Sequence, residues 1–128
     1  SLGGVYPDER FVPWQRLVAP GCGALTAFVV DHESHESHEQ LLLVAASYVT
    51  RQTGWRTRST IHALNADGNG FEPHHELPTV GAHGVASVRF AGRHLLFFSN
   101  DKDEHTTKQH SELFELVGKW PDARFESR

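Results

Sequence analysis

The chain has 128 residues, 38% of them hydrophobic and 22% charged, with 16 acidic against 12 basic residues and a formal net charge of -4. This balance suits one ordinary globular domain and disfavours nucleic acid or an anionic membrane as partner, and no apolar run approaches the ~20 residues of a membrane-crossing helix, so membrane insertion is not expected. Cys22 is the single cysteine, which rules out an internal disulfide; flanked by glycines, it reads as a small buried residue.

Taken in chain order, the segments read as short strands bounded by turn residues, because none holds an i, i+3, i+4, i+7 apolar stripe long enough for a helix. Residues 11–18 carry Pro13 and are expected to form an edge strand, since proline cannot donate to a central ladder. Residues 25–30 form a buried strand. Residues 41–46 are a nearly continuous apolar run, the pattern of a strand buried on both faces. Residues 59–64 follow as a half-exposed strand, and residues 71–77, with Pro73, as a second edge strand. The order then recurs: a strand at 85–90, a tight hairpin through Ala91-Gly92-Arg93-His94, an apolar run at 95–98, a half-exposed strand at 111–116 and a shortened edge strand at 124–128.

The recurrence is a true repeat. Phe11-Val12-Pro13-Trp14-Gln15-Arg16-Leu17 returns sixty positions later as Phe71-Glu72-Pro73-His74-His75-Glu76-Leu77, and the same offset carries Gly21 onto Gly81, Leu25 onto Val85, Phe28 onto Val88 and Val30 onto Phe90. After a change of register, residues 42–47 match 95–100 and residues 59–64 match 111–116. Self-similarity at this period marks solenoids, propellers and arrays. Four antiparallel strands with apolar central members and a polar last one make a propeller blade. The expected fold is therefore all-β: residues 1–18 an N-terminal segment with a stray outer strand of a preceding blade, residues 19–80 a first blade and residues 81–128 a second. About two blades do not close a ring of roughly 4–8. Either the chain is a piece of a longer one, or several copies, three for a six-bladed ring, assemble together.

The ordered residues resemble the epilepsy-associated repeat, or EAR/EPTP repeat: a Phe, then Gln-x-Leu, a Gly-Ala pair, an apolar strand, Leu-x-x-Ala-Asn, and Ser-x-Ile/Val-Tyr before the next Phe. In the first copy this pattern becomes Phe11, Gln15, Leu17, Gly21, Leu25, Phe28, Val30, Leu43, Ala46, Ser47, Ser59, Ile61 and His62. In the second it becomes Phe71, His75, Leu77, Gly81-Ala82, Val85, Val88, Phe90, Leu96, Ser99, Asn100, Ser111, Leu113 and Phe114, with Phe125 opening the next unit. His75 stands where the pattern has Gln, Cys22 where it has Ala, and His62 and Phe114 where it has Tyr. The resemblance implies a propeller that serves as an extracellular or cell-surface protein-interaction module, without catalysis.

Some groups invite chemistry of their own. His32, His35 and His38 are each followed by a glutamate, a ligand set suited to zinc or copper, but the His-Glu-x-His order differs from the helical zinc motif; a solvated hairpin loop is the plainer reading. Asn65, Asp67, Asn69 and Glu76 fit the spacing of a calcium loop, against a Gly- and Asn-rich tight turn as the alternative. Trp14 and Trp120 are expected to pack, whereas Trp55, in a polar loop, is the candidate exposed binding contact, together with the three histidines. No Gly-x-Ser-x-Gly, phosphate loop or paired-cysteine site occurs, so no catalytic residue is expected and no cofactor beyond calcium or weakly held zinc. Two functions follow: a non-enzymatic protein-binding propeller, and a carbohydrate-binding, lectin-like propeller assembled from two-blade chains.

Overall fold

A computed structural model describes residues 10–33, 39–50, 54, 57–100 and 111–128. Its strands are β1 (Cys22–Asp31), β2 (Glu39–Ser47), β3 (Ser59–Leu64), β4 (Phe71–Leu77), β5 (Ala82–Phe90), β6 (Arg93–Asn100), β7 (Glu112–Val117) and β8 (Arg124–Ser127). They make two four-stranded antiparallel sheets, each ordered as the chain runs: β1-β2-β3-β4 and β5-β6-β7-β8. Sequential hairpins suffice for this topology. Asn65–Gly70 closes one of them through Asn65 N–H to Gly70 O (2.8 Å) and Gly68 N–H to Asn65 O (2.9 Å), with Gly68 at φ 71°. The β5–β6 turn needs only Ala91 and Gly92, at φ 52° and 76°, the left-handed pair that matches strand twist.

The duplication read from the sequence persists in the pairing register. Phe28 lies opposite Leu42 and Val88 opposite Leu95; Val44 lies opposite Ile61 and Phe97 opposite Leu113; Leu64 lies opposite Phe71 and Leu116 opposite Phe125. Each first strand also carries a bulge at the same repeat position, between Cys22 and Ala24 and between Ala82 and Gly84. Just before each bulge sits a glycine in the left-handed region, Gly21 at φ 64° and Gly81 at φ 57°. A Cβ on Gly21 would collide with the Val49 carbonyl, so only glycine fits that corner.

The sheets stack face to face, with β1 and β2 lying against β5. Side chains alternate along each strand, so each sheet has one inner and one outer face. The shared core takes Val30, Leu42, Val44, Ala46 and Ile61 from the first sheet and Leu96, Phe98, Phe114 and Leu116 from the second. Phe98 and Phe114 meet edge to face, 5.8 Å between centroids. Burying a side chain of this size is worth roughly 1.5–3 kcal/mol, so this layer holds the sheets together. Trp120, in the β7–β8 connection, closes one end: its N–H donates to Asp31 O (3.1 Å) and its carbonyl accepts from Glu33 N–H (2.8 Å).

Several expectations change. Residues 11–18 form no strand; Pro13 removes one donor and Pro73 removes another from the β4 edge they approach. The run 95–98 is buried on one face only, because Phe97 points to the uncovered side and is 45% exposed; β1 and β5 are likewise open on their outer faces. The strand β3, expected half-exposed, buries Ser59, Ile61 and His62. Cys22 and Trp14, expected to pack, are exposed, whereas Ala82, at the matching bulge of the second sheet, is fully buried.

Candidate functional site

The residues that recur in the repeat are used to build corners. Ser59 Oγ accepts from Ser47 N–H (3.1 Å) and shares a 2.7 Å hydrogen bond with Thr79 Oγ1, which in turn donates to Thr57 O (3.2 Å). This buried chain ties β2 and β3 to the link between the sheets. In the second copy Asn100, the counterpart of Ser47, accepts from Val80 N–H at Oδ1 (3.3 Å) and donates from Nδ2 to Glu112 (2.8 Å).

A cleft of about 390 Å³ lies where the segment 15–20 crosses the outer face of β3 and β4. Leu17, Val18, Pro20, Phe71 and Pro73 give it apolar walls, and Arg16, Thr60, His62 and Glu76 give it polar groups. The segment is fixed by Gln15, whose Oε1 accepts from Phe71 N–H (2.7 Å) and whose Nε2 donates to Phe71 O (2.8 Å). Trp14 stands edge-on to the Phe71 ring, 6.2 Å between centroids. His62 is 2% exposed; its Nε2 lies 3.2 Å from Thr60 Oγ1, and its Nδ1 has no hydrogen-bond partner among the described residues. Burial pushes its pKa below the usual imidazole value, which keeps the ring neutral and able to donate at one nitrogen and accept at the other. The cleft therefore suits an extended segment or small ligand with one or two polar groups.

Two more histidines have lowered pKa values, His74 on the exposed part of β4 and His94 on β6. His74 packs on Trp120, 4.2 Å between centroids, and burial, then the neighbouring His75, lowers its pKa. Burial also lowers that of His94, as does Arg89, against an opposing pull from Asp31. On the outer face of the second sheet an ionic ladder runs across β6, β7 and β8. Arg93 forks onto Glu115 (2.8 and 2.9 Å), Arg128 bridges Glu115 (3.1 Å) and Glu126 (3.0 Å), and Arg124 completes it on Glu126 (2.7 Å). The hydrogen bond from Arg93, with Arg128, holds the Glu115 carboxyl down to about 2.

The residues singled out in the sequence are not gathered into one place. His32 is buried and bridges in parallel to Trp120 at the end of the stack; His35, His38 and Trp55 lie outside the described residues. Asn65 and Asn69 meet each other, Asn65 Nδ2 donating to Asn69 Oδ1 (2.7 Å) and Asn69 N–H to Asn65 Oδ1 (3.1 Å), which is how a tight turn satisfies itself. Asp67 is exposed at the tip of that turn, while Glu76 lies opposite Thr60 on β4 and faces the cleft. Among the described residues no group of three or more His, Cys, Asp or Glu side chains converges. Of the cleft residues, Arg16 and Thr60 were not singled out by the sequence and Glu76 only as a calcium-loop ligand, although Thr60 and His62 alternate on one face of an otherwise apolar strand. No family model, curated protein or solved structure matches the chain.

Proposed function

We propose that the chain is a non-enzymatic recognition module, two blades of a β-propeller of EAR/EPTP type, which binds a protein partner at the outside of a cell. The observation that carries this reading is the fate of the repeat motif. Gly21, Gly81, Ser47, Ser59 and Asn100 hold bulges, strand ends and links in place. A motif spent on architecture leaves recognition to the surfaces that differ between copies, as in repeat proteins generally. The cell-surface setting comes from the resemblance.

A second reading is supported by Trp14. It is 60% exposed beside a cleft carrying Arg16, Thr60 and Glu76, and an aromatic face next to polar groups is what a sugar ring stacks on. Probing an extracellular protein array and a glycan array with the same labelled chain separates the two. Saturable binding to a protein with the glycan array silent is the expected result. Saturable glycan binding lost in Trp14→Ala establishes the lectin, and silence on both arrays contradicts the recognition role.

A further inference from the structure

One stretch of the repeat is locked in its second copy and loose in its first. The sixty-residue offset carries Leu17-Val18-Ala19-Pro20-Gly21 onto Leu77-Pro78-Thr79-Val80-Gly81. In the second copy Leu77 and Thr79 are buried, Thr79 shares a hydrogen bond with Ser59 and donates to the Thr57 carbonyl, and Val80 N–H donates to Asn100. In the first copy Ala19 stands where Thr79 does and has no hydroxyl, and Pro20 stands where Val80 does and has no N–H. Val18 is 83% exposed, and among the described residues no backbone hydrogen bond joins residues 10–18 to either sheet. The stretch is held at its two ends. At one, Cys22 N–H donates to Ala19 O (3.1 Å) and Tyr48 N–H to Gly21 O (2.6 Å); at the other, Gln15 clasps Phe71. Between these points it does not pack down on the sheet. The cleft of about 390 Å³ is left there, where close-packed elements leave few voids larger than a water.

We propose that residues 14–20 are a lid over the cleft, hinged at Gly21 and latched by Gln15. Beneath it lie Ala45 on β2 and His62 on β3, which are 0% and 2% exposed although they belong to the outer face of the first sheet. With the lid closed, His62 Nδ1 has no hydrogen-bond partner, and a buried nitrogen left unpaired disfavours that state. Lifting the lid lets water or a ligand reach this nitrogen. It also turns the cleft into an open groove over β3 and β4, floored by Thr60, His62 and Glu76. The core is not disturbed, because Val44, Ala46 and Ile61 lie on the opposite face of the sheet. The lid therefore governs entry to the cleft, whatever the cleft binds.

Thiol labelling of the intact chain tests it, with Cys22→Ser removing the exposed cysteine. Ala45→Cys and Ala46→Cys each put a thiol on β2 at a position that is 0% exposed, the first beneath the lid and the second in the core. The thiol at position 45 is expected to react roughly a hundredfold faster than the one at position 46, because local opening is easier than global unfolding. Its rate should hardly change with urea below the unfolding transition, since a lifted lid exposes little surface, whereas the rate at position 46 climbs steeply. Gln15→Ala removes the latch and is expected to speed labelling at position 45 by roughly five- to thirtyfold. Circular dichroism confirms that the variants fold; His62→Cys and Val44→Cys serve in place of either that does not. Equal rates at the two positions, the same dependence on urea, or a rate at position 45 indifferent to Gln15→Ala overturns the proposal. So does a thiol there as reactive as Cys22 in the unaltered chain. No ligand enters this experiment, so the recognition role stands or falls separately.

Discussion

The Gln15 side chain serves the Phe71 peptide as a neighbouring strand would, accepting from its N–H at 2.7 Å and donating to its carbonyl at 2.8 Å. Phe71 opens an edge strand, so without Gln15 both groups would turn to water. Gln15→Ala is expected to destabilise the chain by about 1–2 kcal/mol, two modest hydrogen bonds at the surface. Amide exchange at Phe71 should quicken more than at the core residue Val44. Equal changes at both residues would mean that the clamp has no local effect.

The corner glycines are the least replaceable positions of the repeat. Gly21→Ala meets both the positive φ and the Val49 carbonyl, and is expected to cost about 2 kcal/mol or more. Chemical denaturation measures it. A loss below ~0.5 kcal/mol would show that the corner relaxes freely.

The β5–β6 turn leaves room for improvement, because Ala91 holds φ 52° without the tolerance of Gly or Asn. Ala91→Asn creates the Asn-Gly pair preferred in such turns and should stabilise by about 0.5–1 kcal/mol. A thermal melt raised by a few degrees is the expected readout.

Stability should fall with acidity in two separate stages. His62, His74 and His94 have folded-state pKa values below the usual 6.5, so the unfolded chain takes up protons first, and stability present above that value declines as pH falls beneath it. Glu115 is the opposite kind of group. Its lowered pKa contributes stability above the usual carboxylate range, and this is lost between 4.5 and about 2. Thermal melts from pH 7.5 to 3 check both stages. His62→Gln is expected to flatten the first stage, and Arg93→Gln the second.

What the sequence made legible is what local pattern determines. Alternation and turn residues placed every strand of both sheets, and the sixty-residue offset anticipated the matching registers, with Phe28 opposite Leu42 and Val88 opposite Leu95. Coverage was not legible, because it depends on what stacks above a sheet. Leu43 and Phe97 sit in equally apolar runs, yet Leu43 is half-buried and Phe97 largely open. The cleft was hidden for a related reason: it forms only when the segment 15–20 crosses β3 and β4, bringing Arg16 beside residues more than forty positions away. The segment itself looked like a strand because it copies β4, but a strand requires a pairing neighbour.

The account rests on one structural unit used twice. A crystal structure of the chain tests this most directly. The expected result is two four-stranded antiparallel sheets that superimpose strand for strand, with Phe28 opposite Leu42 in one and Val88 opposite Leu95 in the other. Helices across residues 41–46 or 111–116, or halves that fail to superimpose, would contradict it.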